Sequence, residues 1–104
     1  MNFDLKSIVP ETTSFRQGEF KNDSTMIKKL PPAIKKKVLD YLKEPEPTWV
    51  SGKRMTDPIT GEFYSHENLI REKDGFSWSS AAIYMLEKYD IRLSEEFLSL
   101  FREA

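Results

Sequence analysis

Cysteine is absent from the sequence, which excludes disulfides, thiolate nucleophiles and any zinc or iron–sulfur centre held by sulfur. There is a single histidine, His66, so a metal site would have to be built mainly from carboxylates. The four glycines stand at 18, 52, 61 and 75, and they fit neither a P-loop nor a dinucleotide-binding spacing. No G-x-S-x-G elbow occurs, no D-x-D-x-D-G calcium loop occurs, and Ser–His chemistry could use only His66. That histidine lies between Ser65 and Glu67 near an expected strand end, where a surface role is the simpler explanation. Apolar runs stay far short of a membrane span, and the first ten residues, which include Asp4 and Lys6, have no signal-peptide core. These absences leave a single cytoplasmic domain with no membrane contact, no cofactor and no metal as the expectation.

Charge of one sign is also missing in total, with 16 basic against 17 acidic residues. Its distribution is uneven. Residues 26–43 carry Lys28, Lys29, Lys35, Lys36, Lys37 and Lys43 against Asp40, a balance of +5, whereas residues 44–104 sum to −5. An electrical dipole with one basic element is expected, and such asymmetry steers charged partners without fixing a fold. A solvated lysine face is the plainer reading of the same residues.

With 104 residues, 38% of them hydrophobic, the chain has room for one modest core. Residues 1–25 lack a sustained period and read as an extended arm or loop. Phe3, Leu5, Ile8 and Val9 could form one short strand, and Phe15 and Phe20 are the later apolar anchors. A helix is predicted over 31–43: Pro31 and Pro32 suit its first turn, and Ile34, Val38, Tyr41 and Leu42 share one face. Pro45 and Pro47 end it.

Residues 48–78 then read as antiparallel hairpins. Thr48-Trp49-Val50 is β-prone, and Asp57-Pro58-Ile59-Thr60-Gly61 is a turn between Lys53–Thr56 and Glu62–Ser65. Asp74-Gly75 joins Leu69–Lys73 to Phe76–Trp78. Two helices follow, over 79–90 and 94–103, each with a serine cap and a hydrophobic staple: Ser79 with Trp78 and Ile83, Ser94 with Leu93 and Leu98. Glu95 and Glu96 suit the first turn of the second. The fold class is α+β: a small antiparallel sheet of three to four strands packed with one helix from the first half and two C-terminal helices.

Most of the aromatics fall on apolar faces, but Trp49, Phe63 and Tyr64 are harder to place. Neighbours on a strand point to opposite sides, so one of Phe63 and Tyr64 should face away from the core. Exposed Trp or Tyr beside acids is a feature of protein-binding surfaces.

Asp57-Pro-Ile-Thr-Gly-Glu62, Asp74-Gly-Phe-Ser-Trp78, Tyr84 with Lys88-Tyr89, Ile91-Arg-Leu93 and Glu96-Phe97 together resemble small bacterial immunity proteins, over about residues 48–101. The family meant is the one encoded beside polymorphic or contact-dependent growth inhibition toxins. The resemblance implies a non-enzymatic inhibitor that binds one cognate toxin domain, over its active site or at a neighbouring surface. The matched positions are turn and staple chemistry, so they bring no binding residue with them. Many such toxins act on nucleic acid and present basic clefts. The acidic half could dock there through Glu62, Glu67, Glu72 and Asp74, with Trp49 and Tyr64 as aromatic contacts. The alternative is a small nucleic-acid-associated or regulatory protein using the lysine-rich helix. That stretch has no arginine for bidentate recognition and no aromatic before Tyr41, which disfavours nucleic acid. An enzyme working with Glu and Asp alone ranks third.

Overall fold

In the computed structural model the described residues are 5–10, 13, 16, 18–20 and 25–101. Phe3, Phe15 and the last two positions of the helix expected over 94–103 lie outside them. The first helix, α1, spans Pro32–Lys43 with Pro31 as its N-cap. Its apolar stripe is the one the period requires: Val38 and Leu42 are fully buried, and Ile34 and Tyr41 pack at their flanks.

The chain then runs through β2 (Trp49–Ser51), β3 (Met55–Thr56), β4 (Phe63–Ser65), β5 (Asn68–Lys73) and β6 (Phe76–Ser79), after a short first strand, β1 (Lys6–Ser7). Strands β1, β6, β5 and β2, in that order, form one sheet, while β3 and β4 form a separate two-stranded hairpin. The β5–β6 hairpin closes on Asp74 and Gly75, both at positive φ (54° and 86°), which is the twist-compatible two-residue turn that Asp-Gly favours. The expected sheet is antiparallel throughout, and β1 makes it mixed by pairing in parallel with β6. This pairing carries Ile8 into the core at 1% exposure, and the Ile8 carbonyl then accepts the Ser94 N–H at 2.8 Å.

Helix α2 (Ser80–Tyr89) follows β6 without a loop. Ser79 is its N-cap residue, but its side chain makes no capping bond, since Ser79 is still paired opposite Ile70 as the last residue of the strand. Ser80 Oγ instead accepts the Leu69 N–H at 3.0 Å. Asp90 ends α2 in the left-handed conformation. Ser94 caps α3 (Glu95–Leu98) as its spacing requires, accepting the Phe97 N–H at 3.2 Å. The helix then tightens into a 3-10 turn over Ser99–Phe101.

Phe97 sits at the centre of the core with no exposed surface, its ring 5.2 Å from Phe76, 5.3 Å from Phe101 and 5.7 Å from Tyr41. Trp78 is buried beside them and donates its indole N–H to the Leu42 carbonyl at 3.0 Å. That bond satisfies a carbonyl in the last turn of α1 and joins the helix to β6. Truncation to Phe97→Ala should therefore cost about 3–5 kcal/mol, read as a lower urea midpoint with little change in slope. A loss below about 1 kcal/mol, the scale of a surface change, would show that the ring cluster is not the centre of the core.

Candidate functional site

The segment between β2 and β5 leaves the main sheet as an arm, and a single carboxylate fixes its position. Asp57 begins the turn that sequence spacing identifies: its N–H donates to the Glu62 carbonyl and its carbonyl accepts the Gly61 N–H, both at 2.8 Å. Gly61 takes φ 76°, which a side chain would resist. Asp57 Oδ1 accepts the N–H groups of Ile59 at 2.7 Å and Thr60 at 2.9 Å. Asp57 Oδ2 accepts the hydroxyls of Tyr84 at 2.6 Å and Tyr89 at 2.7 Å, with Lys88 Nζ 3.2 Å away. These last three groups come from one face of α2. Tyr64 of β4 completes the joint by stacking flat on Tyr84, ring centroids 3.9 Å apart.

The electrostatics follow from this geometry. Burial alone would raise the Asp57 pKa, but the two phenol hydroxyls and the two backbone N–H groups hold its carboxyl well below the usual carboxylate range. Burial and the hydrogen bond to Asp57 push Tyr89 up to about 12. Tyr64 is pushed up to about 12 chiefly by burial. Lys88 is raised by its hydrogen bonds to Tyr84 and Asp57. A carboxylate with no exposed surface and every acceptor direction used is built to hold two elements together, not to exchange a proton with a substrate. Among the described residues no group of three His, Cys, Asp or Glu side chains is placed to hold a metal ion.

Among the described residues, the arm and the strand feeding it carry most of the large apolar side chains left in solvent. Trp49 is 61% exposed and Val50 50%, both on β2 at the free edge of the sheet, while Ile59 and Phe63 are exposed on the arm. Arg54 lies over the Phe63 ring, 4.5 Å from its centroid, and His66 packs against the same ring at 4.4 Å. Pairing places Trp49 opposite Ile70, and so on the same sheet face as Glu72, away from buried Phe76 and Trp78.

The acids named from the sequence divide into two kinds. Glu62, Glu67 and Glu72 are exposed, Glu62 and Glu67 near the two ends of β4 and Glu72 on β5. Asp74, also exposed, accepts the Tyr41 hydroxyl at 2.6 Å and holds the hairpin turn against α1. Burial first, and then this bond, raises the Tyr41 pKa. Trp49 is displayed, whereas Tyr64 is only partly accessible and its ring is engaged by Tyr84. Of Phe63 and Tyr64, it is Phe63 that faces outward, as strand alternation requires. Reading Asp57 as a turn residue alone misses its side chain's role; the available signal is Tyr84, Lys88 and Tyr89, three donors grouped on α2.

Compared with protein families, with curated proteins and with solved structures, the chain matches none.

Replacing Asp57 with Ala strands two phenols and two backbone donors and should cost on the order of 3–5 kcal/mol. The pH profile should report the same joint. In the unfolded chain Asp57 binds a proton near pH 4, well above its folded titration, so its contribution is complete above about pH 5 and falls away as acid is added. Tyr64 and Tyr89 lose their protons near pH 10 when unfolded and near 12 when folded, so their contribution is complete below about pH 10 and drains away above it. Denaturation as a function of pH should show both limbs in the native protein and a smaller acid limb in Asp57→Asn.

Proposed function

We propose that this chain is a non-enzymatic immunity protein that neutralises one cognate bacterial toxin domain by stoichiometric binding. The observation that carries the proposal is the display of Trp49, 61% exposed on the free edge strand β2 and on the sheet face turned away from the core. Tryptophan contributes large contact area at low conformational cost and is enriched among the residues that anchor protein interfaces. Glu62 and Glu67 near the ends of β4 and Glu72 on β5 are exposed, and their negative charge suits a basic toxin face and would speed its capture. The resemblance of residues 48–101 to immunity proteins agrees with this reading.

The lysine-rich element gives less support to the nucleic-acid alternative than its charge suggests. Lys35 pairs with Asp90 at 2.8 Å, Lys43 with Glu87 at 2.9 Å and Lys28 with Glu95 at 3.6 Å, so much of the positive charge is answered within the molecule.

The test is co-purification of the tagged chain from its native cell extract at low and moderate salt. The captured protein is then expressed in a bacterium with and without this chain. A partner that arrests growth, with the arrest relieved by this chain, is the expected result. Trp49→Ala should weaken that complex at least about tenfold, mainly through faster dissociation. Changing Glu62, Glu67 and Glu72 to lysine should lower the association rate and its salt dependence. Recovery of nucleic acid alone, shed as salt rises, would overturn the proposal.

A further inference from the structure

We infer that the groove where the start of α1 meets α3 and the C-terminal 3-10 turn is a docking site for an acidic peptide segment bearing large apolar side chains. Its residues are distinct from the Trp49 edge and from the arm, so the site is independent of the toxin reading. The groove has a volume of about 530 Å³ and is open to solvent. Leu30, Ile34, Leu98 and Phe101 form its apolar part, and Leu30 and Leu98 keep only 9% and 7% of their surface exposed. A lining this recessed is reached by a protruding side chain, whereas a flat surface would meet only the rim.

Charge complementarity sets the chemistry of the partner. The rim consists of Lys28, Lys29 and Lys37, and no acidic residue lines the groove. Lys28 has Glu95 at 3.6 Å, but among the described residues Lys29 and Lys37 meet no acid within ion-pair distance. Lys35 and Lys43 of the same helix are answered by Asp90 and Glu87, so the groove keeps positive charge of a kind that the fold neutralises elsewhere on α1. An apolar anchor flanked by Asp or Glu satisfies both parts at once: the anchor fills the floor and its neighbours meet the lysines. Burial of the anchor supplies most of the affinity, and the charges supply the choice of partner. Nucleic acid suits the rim but not the floor, where Phe101 is the one aromatic ring and no arginine or side-chain amide is present to read a base.

The test pans a displayed library of random short peptides on the full-length chain, with the double variant Lys29→Glu, Lys37→Glu as a parallel target. Both lysines are exposed, so the variant should keep the native fold, which its amide spectrum checks. Sequences that place Leu, Ile, Met or Phe beside Asp or Glu should be enriched on the native chain and not on the variant. A synthetic peptide of the most enriched sequence should give saturable shifts at the amides of Lys28, Lys29, Leu30, Ile34, Lys37 and Phe101. The double charge reversal should weaken that peptide at least about tenfold, as should replacing the peptide's acids by their amides or its apolar residues by serine. No enrichment, enriched sequences without acids, equal recovery on the variant, or shifts centred on Trp49 would each overturn the inference. So would a chain that selects no peptide but binds phosphatidylserine vesicles through Lys29 and Lys37.

Discussion

The Asp57 carboxylate is the constraint on which the outward half of this molecule depends. Among the described residues the β3–β4 hairpin shares no strand pairing with the main sheet, and two short strands in isolation are at best marginal in water. What holds it is side-chain chemistry: one oxygen of Asp57 shapes the turn through Ile59 and Thr60, and the other receives two phenols from α2. The turn and its docking are thereby coupled. Loss of the turn removes the acceptor from Tyr84 and Tyr89, and loss of the docking leaves a charged group in an apolar surround. The exposed side chains of the arm are held in position by that coupling.

The charge pattern has a parallel explanation inside the fold. A basic stretch followed by an acidic remainder suggests a dipole aimed at a partner, yet packing places α1 beside α2, and Lys35 and Lys43 meet Asp90 and Glu87 there. The exposed Lys43–Glu87 pair is worth about 0–1 kcal/mol and Lys35–Asp90 is half-buried, so what the two do first is fix the arrangement of elements. Lys36 and Lys37 remain in solvent on the outer side of α1. The sign of the charge along the chain therefore tells more about which helices are neighbours than about the ligand.

Local chemistry is legible in the amino-acid sequence itself. The limits of α1, the Asp74-Gly75 hairpin, the Asp57–Gly61 turn and the Ser94 cap are each determined by residues within a few positions of one another. Three features are not. The parallel addition of β1 joins Lys6 to Phe76 across the chain, and nothing in a two-residue strand announces its partner. Two hairpins in succession read equally well as one sheet or two, and the separation of the arm depends on contacts with α2. The burial of Asp57 follows from tyrosines about thirty residues away, whose rings read as ordinary core. For the candidate interface, Trp49 and the three exposed glutamates can be named from sequence. The engagement of Tyr64 by Tyr84 and of Asp74 by Tyr41 cannot, because both depend on tertiary neighbours.

The two tryptophans occupy opposite environments, Trp78 at 4% exposure in the core and Trp49 at 61% on the edge strand. Their emission therefore separates two processes that usually overlap in one fluorescence signal. Trp78 emits from a dry, aromatic-packed site and shifts to the red only when the core opens. Trp49 already emits from water, and its spectrum moves to the blue only when something covers it. The unmodified chain thus contains its own reporters for unfolding and for occupancy of the β2 edge, and they respond in opposite directions.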